Sequence, residues 1–158
     1  MKQKRFERIQ RSIEAKFVKN LENLDTSSKE RFLETFPNLW KKKRRFKEHV
    51  NERINKRHVP KENAELFYAK KIIEVLAFHD KVIIEKLRGK FQSTYAVKDD
   101  WVVILSEKGK IETAFKLKLT LPDWVKDHIL KKAEVEENVH SKTIKEATKR
   151  IWDRIRFF

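Results

Sequence analysis

The chain has 158 residues, enough for one domain with a hydrophobic core of its own, and 39% of them are hydrophobic. Lysine and arginine outnumber aspartate and glutamate by 39 to 24, which gives a net charge of +15. There is no cysteine, which excludes disulfides and thiolate metal sites. A charge of this size indicates an anionic partner, and we expect nucleic acid ahead of an anionic membrane surface or an acidic protein.

Several other functional classes are excluded by what the sequence lacks. No apolar run approaches the ~20 residues that a membrane helix needs, and the start, MKQKRFERIQ, has no signal-peptide apolar segment. We therefore expect a cytoplasmic protein without a membrane span. No glycine-rich loop is present to bind a nucleotide, and no two histidines have zinc-site spacing on one helix face. We expect neither a metal nor another cofactor.

The first half of the chain has helical periodicity. Apolar residues at spacings of three and four predict helices over 1–24, 28–35, 46–58 and 61–78. Residues 25–28 are a loop whose serines are good helix caps, and Pro37 ends the second helix. Five basic residues, KKKRR at 41–45, are typical of either a solvated face or a phosphate-binding surface.

The periodicity changes after residue 80. Strands are predicted at 81–88, 91–97, 101–107 and 110–119, joined by turns suited to an antiparallel meander. In the last strand, strict alternation places Ile111, Thr113 and Phe115 on one face. Pro122 begins a final helical region.

These elements predict an α+β fold: N-terminal helices, a four-stranded antiparallel meander, and helical additions at both ends. We expect a single domain that is divided into a helical region at 1–45, a core at 46–119 and a C-terminal helical region at 120–158.

The helix at 46–58 carries two rows of side chains at four-residue spacing. The apolar row consists of Phe46, Val50 and Ile54. The second row consists of His49, Arg53 and Arg57. An imidazole followed by two cations is suited to bind and attack a phosphodiester, and it is equally typical of a basic helix without chemistry.

Metal-independent RNA cleavage fits a chain that is basic and aromatic. The ribose 2′-hydroxyl attacks its own phosphate, which requires a base, an acid for the leaving 5′-oxygen, and cations around the charged phosphorane. Histidine titrates in the right range for either proton transfer. Arginine binds phosphate at any pH, and a hydroxyl on a rigid strand could complete the site.

The order of several motifs resembles a known family of RNases. A helix with His49-Val50 and Arg53 is followed by another helix, a strand WVVI at 101–104, a turn at Gly109 and a strand IETAF at 111–115. This arrangement resembles the phage-associated branch of the barnase–EndoU–colicin E5/D–RelE superfamily. The resemblance covers residues 46–119 and implies a RelE-like fold and endoribonuclease activity.

The resemblance also implies roles for three residues. His49 would be the acid–base residue, Arg53 would bind phosphate, and Thr113 would complete the site. Further candidate residues are proposed from their predicted positions and not from the resemblance. Phe115 shares the face of Thr113 and would either stack on a base or pack in the core. The other RNA-binding candidates are Arg44, Arg45, Lys47, Arg57, Tyr95 and Lys116.

The sequence thus predicts an endoribonuclease that leaves a 2′,3′-cyclic phosphate, as a toxin or a phage-related effector. RNA, such as a tRNA loop, is the expected partner, and an acidic antitoxin or immunity protein is a second one. The alternative is a non-catalytic basic nucleic-acid-binding protein of phage or mobile-element origin. A third interpretation is a structural interaction protein with an acidic partner.

Overall fold

The structure, a computed structural model, describes residues 25–88, 90–128 and 134–137. Its helices are α1 (Thr26–Thr35), α2 (Arg45–Asn55), α3 (Ala64–Phe78) and α4 (Leu121–His128), with a 3₁₀ turn at Phe36–Leu39. Its strands are β1 (Lys81–Leu87), β2 (Lys90–Lys98), β3 (Trp101–Ser106), β4 (Ile111–Lys116) and β5 (Glu134–Glu137). The prediction of helices followed by an antiparallel meander is confirmed. The predicted helix at 1–24 and most of the region after 128 lie outside the described residues.

The first helix begins two residues earlier than predicted, because Asp25 rather than a serine caps it. The Asp25 carboxylate accepts the Ser28 N–H at 2.7 Å. The helix ends at Thr35, and Pro37 lies inside the 3₁₀ turn. That turn leads to Trp40, which is buried against the sheet.

The second helix is shorter than predicted and ends at Asn55. Arg57 adopts a left-handed conformation at φ 60, and the His58 N–H donates to the Arg53 carbonyl at 2.8 Å. This is the hydrogen bond of a Schellman motif, which reverses the chain at a helix C-terminus. Arg57 therefore does not continue the His49 row, contrary to the prediction.

The sheet has five strands in the order β4-β3-β2-β1-β5, all antiparallel to their neighbours. The four-stranded meander occurs in the predicted order. β5 pairs with β1, with Glu137 opposite Ile83. The prediction of a purely helical C-terminal region misses this strand.

Helices α1, α2 and α3 cover one face of the sheet and form the main core with it. The largest fully buried side chains of this core include Phe32, Phe36, Phe46, Tyr68 and Ile72. The other face carries a smaller cluster built on Ile83, Tyr95, Val97 and Val102, which packs against Trp124 of α4.

A bulge in the β3–β4 pairing changes the predicted faces of β4. Ile104 pairs with Thr113, but Leu105 pairs with Ile111, so Glu112 is an extra residue. Ile111 consequently packs in the helix-side core, and it does not share the face of Thr113 as strict alternation predicted. Because of the bulge, the side chains of Thr113 and Ile111 lie on different faces of the sheet.

Candidate active site

The candidate site lies along β4, which is an edge strand. Groups from the helical layer bind its free edge in place of a further strand. The Lys41 N–H donates to the Ile111 carbonyl at 2.8 Å, and the Lys116 N–H donates to His58 Nδ1 at 3.2 Å. Between them, the Tyr68 hydroxyl binds the backbone of Ala114. These bonds protect the edge from pairing with another chain and fix α2 alongside β4.

His49 and Thr113 lie in direct contact at this edge. His49 Nδ1 is 2.6 Å from Thr113 Oγ1, although the two residues are 64 positions apart in the sequence. The half-buried imidazole also packs against Trp40, with 5.2 Å between the ring centroids. The resemblance implied that His49 and Thr113 belong to one site, and the structure brings them into contact. Their catalytic role stays a prediction.

The surroundings of His49 favour its neutral form. Burial lowers the pKa of the imidazole below its usual value. Glu52 acts in the opposite direction and Arg53 in the same direction as burial. Because Thr113 engages Nδ1, Nε2 is the nitrogen that remains to exchange a proton with a substrate. A neutral imidazole held in this way can accept a proton at neutral pH.

Arg53 lies one helical turn after His49 and is buried, with 6% of its surface exposed. Its guanidinium carbon is 5.7 Å from the centroid of the Phe115 ring. Nη2 donates to the Glu52 carboxylate at 3.2 Å, while the buried Nε has no hydrogen-bond partner among the described residues. A buried cation with an unsatisfied donor favours the binding of an anion.

Tyr68 is a further residue of the site that the sequence did not identify as such. Tyr68 and Trp40 are both buried in the main core. The Tyr68 hydroxyl donates to the Ala114 carbonyl at 2.6 Å and accepts the Ala114 N–H at 3.0 Å. Burial raises the pKa of this phenol to about 12, against the opposing effects of the Arg53 charge and of the hydrogen bond with Ala114. It therefore stays protonated and holds β4 next to Thr113.

The two aromatic candidates have different positions. Phe115 is half-buried and lies between the Arg53 guanidinium and the Trp124 ring, so it supports the site and packs in the smaller cluster. Tyr95 is separated from Thr113 by the whole of β3. Its hydroxyl donates to Glu85 at 2.9 Å and its ring contacts Trp124. The buried position of Tyr95 gives no support to its predicted contact with RNA.

The five basic residues predicted to bind RNA are all exposed, but they differ in their ion pairs. Arg45 pairs with Glu48 at 3.2 Å, and Lys116 pairs with Asp100 at 3.5 Å. The other three form no ion pair within residues 25–88, 90–128 and 134–137, and they are Arg44, Lys47 and Arg57.

Neither a metal site nor a membrane-spanning helix is found in the part of the chain that the structure describes. No group of three or more His, Asp or Glu side chains in this part of the chain could hold a metal ion. None of the helices described here is long and apolar enough to cross a membrane.

A family model matches most of the chain. The family model described as "Uncharacterised protein aq_aa01" matches residues 30–156, which is most of the chain and includes the whole candidate site. Neither the curated proteins nor the solved structures contain a match.

Proposed function

The chain belongs to the family described as uncharacterised protein aq_aa01, and we propose that it is a metal-independent endoribonuclease. The observation that carries the proposal is the 2.6 Å contact between His49 and Thr113, with the buried Arg53 one helical turn away. This combination places an acid–base group, a hydroxyl and a cation along one strand edge. A relationship of the 46–119 core to the barnase–EndoU–colicin–RelE superfamily is part of the same proposal.

In the proposed reaction, His49 Nε2 removes the proton of the ribose 2′-hydroxyl. The 2′-oxygen forms a bond to the adjacent phosphorus and the bond from phosphorus to the 5′-oxygen breaks. The leaving 5′-oxygen takes up a proton, which the protonated His49 supplies. The products are a 2′,3′-cyclic phosphate and a free 5′-hydroxyl. One imidazole can balance both proton transfers, because it is neutral before the reaction and after it.

Arg53 and Thr113 have supporting roles in this reaction. The Arg53 guanidinium would stabilise the negative charge on the phosphorane, and its burial against Phe115 keeps it in place without water around it. Thr113 would hold the orientation of the imidazole through Nδ1. An imidazole that is already held in the reactive orientation loses less entropy when the substrate binds than a mobile one does, so it catalyses the proton transfer better.

The expected partners follow from the charge and from the reaction. RNA is the substrate class because only RNA carries the 2′-hydroxyl. A single-stranded RNA or a tRNA loop is the proposed target, since its phosphates and bases are accessible. An acidic antitoxin or immunity protein would suit the net charge of +15. A cytoplasmic toxin or phage-related effector is the proposed context.

The test is cleavage of end-labelled RNA in the presence of EDTA. Wild-type protein is compared with H49N, whose amide can still bind Thr113 but cannot titrate. H79N is the matched control, because His79 is also half-buried and hydrogen-bonded, to the Leu76 carbonyl at the end of α3. Cleavage by the wild type and H79N, but not by H49N, supports the proposal. Equal cleavage by all three proteins, or by none, refutes it.

The exposed run at 41–45 favours a second candidate, a nucleic-acid-binding protein without catalysis. Such a protein would bind RNA and DNA of one sequence equally well and cut neither. The same gel assay with a binding measurement on both nucleic acids distinguishes the two candidates. Salt dependence of binding does not distinguish them, because both candidates would bind phosphates.

A further inference from the structure

Three cations of the helical layer beside β4 each form an ion pair with a glutamate. The pairs are Lys41 with Glu112 at 3.5 Å, Arg45 with Glu48 at 3.2 Å, and Arg53 with Glu52 at 3.2 Å. The surroundings of the imidazole are therefore much less positive than the net charge of the chain suggests. A polyanion that approaches His49 has to compete with these carboxylates.

The Arg53–Glu52 pair differs from the other two in its burial. The Arg53 side chain is 7% exposed and the Glu52 side chain is 56% exposed. In the other pairs both partners are at least 33% exposed. Glu52 can therefore return to water at little cost, because an exposed carboxylate keeps most of its hydration. Arg53 cannot follow it, because its guanidinium is buried over Phe115.

The ion pair with Glu52 does not satisfy every hydrogen-bond donor of the Arg53 guanidinium. It accepts a hydrogen bond from Nη2, whereas the buried Nε finds no acceptor among the described residues. A phosphate has enough oxygens to accept from Nη2 and Nε together, which is the bidentate geometry that arginine favours. A phosphate would thus satisfy a buried donor that Glu52 does not.

From these contacts we infer that Glu52 occupies the phosphate-binding position of Arg53 in the free protein, and that a phosphate displaces it. The inference rests on the proposed function, since the phosphate would be that of the RNA being cleaved. Glu52 and Arg53 are adjacent on α2, so the carboxylate can turn outward without a change in the helix. Glu52 then acts as an internal competitor, and only a ligand with a strong phosphate contact displaces it.

The test measures phosphate binding and does not require cleavage. Inorganic phosphate, and separately a 2′-O-methyl RNA trinucleotide that cannot be cleaved, are titrated into wild type, E52Q and E48Q. NMR signals of the arginine Nε–H groups report the binding. E48Q is matched to E52Q, because Glu48 lies on the same helix, is 55% exposed and pairs with an arginine at the same distance. Both variants gain one unit of positive charge.

We expect E52Q to bind both probes about two- to fivefold more tightly than wild type, which is the range for loss of one exposed competing ion pair. E48Q should differ from wild type by much less, and the shifting signal should disappear in R53M. Equal affinities for E52Q and E48Q, or no phosphate binding by either, would overturn the inference. If R53M does not fold, the comparison of E52Q with E48Q still decides.

Two results would distinguish the role of Glu52 from the proposed nuclease activity. RNA cleavage that depends on His49, with no difference between E52Q and E48Q, would remove the role of Glu52 alone. Tighter phosphate binding by E52Q without any RNA cleavage would support the displacement of Glu52 and refute the nuclease.

Discussion

The hydroxyl of Tyr68 offers a direct test of how the site is built. Tyr68 lies on α3 and is 0% exposed. Its hydroxyl occupies the position that a neighbouring strand would take at the free edge of β4. The substitution Y68F removes this oxygen and leaves the ring, so the packing around it changes little.

The expected cost follows from the two hydrogen bonds. The hydroxyl donates to the Ala114 carbonyl at 2.6 Å and accepts the Ala114 N–H at 3.0 Å, and Ala114 is fully buried. Y68F leaves both backbone groups without a partner in the core. An unsatisfied buried polar group costs about 1–3 kcal/mol, so we expect Y68F to lower the free energy of unfolding by about 2–4 kcal/mol. At about 2–4 °C per kcal/mol, the Tm should fall by about 5–15 °C.

Urea unfolding followed by circular dichroism measures this loss. The matched control is Y95F, since Tyr95 also donates a hydrogen bond through its hydroxyl, at 2.9 Å to Glu85. Glu85 is only half-buried, so water can replace that bond, and we expect a loss of about 1 kcal/mol. A Y68F protein as stable as wild type, or no less stable than Y95F, would refute the account of how β4 is held.

Two further predictions concern pH and salt. Burial is the largest cause that lowers the pKa of both His49 and His58 in the folded protein. In the unfolded chain a histidine titrates near its usual pKa of ~6.5, so around this pH the unfolded chain binds more protons than the folded one. The free energy of unfolding should therefore decrease as pH falls below ~6.5, as measured by urea unfolding between pH 5 and 8, and a flat or reversed dependence would contradict it. Replacing the three basic residues 42–44 with glutamine should weaken the binding of 2′-O-methyl RNA. The slope of log K against log salt should fall by up to about 2, because each contact with a phosphate of single-stranded RNA contributes ~0.7. Fluorescence anisotropy at several salt concentrations checks this, and an unchanged slope would place the RNA elsewhere.

The resemblance to the RNase family, rather than local sequence pattern, implied that His49 and Thr113 belong to one site, and the structure brings the two side chains to 2.6 Å. The spacing of Phe46 and Val50 placed them in an apolar row on α2, with His49 and Arg53 in a second row. Structure confirms the burial of the two apolar residues and adds that Arg53 itself is buried. Periodicity alone does not predict the burial of an arginine, because a buried charge depends on partners from other elements, here Phe115.

Other features could not be predicted from local pattern. The bulge at Glu112 depends on the pairing of β3 with β4 and breaks the alternation on which the strand prediction relied. The strand β5, with the sequence EVEE, has almost no strand propensity, and its pairing with the edge of β1 determines its conformation. The end of α2 was placed three residues too late, because the left-handed position is occupied by Arg57 rather than glycine.

The role of Tyr68 was missed for a related reason. A tyrosine among apolar residues of a buried helix face is a weak signal of a hydrogen bond, and its acceptor lies 46 residues later in the sequence. Only the arrangement of α3 against the free edge of β4 identifies the backbone of Ala114 as the partner.

The chemistry of the RNA ends tests the proposed reaction most directly. A short RNA is incubated with the protein in EDTA and the products are analysed by mass spectrometry. We expect 2′,3′-cyclic phosphate ends with wild type, and none with H49N or with RNA that carries a single 2′-deoxy nucleotide at the cleaved position. Products with 5′-phosphate ends, or cleavage that persists without His49 or without the 2′-hydroxyl, would contradict it.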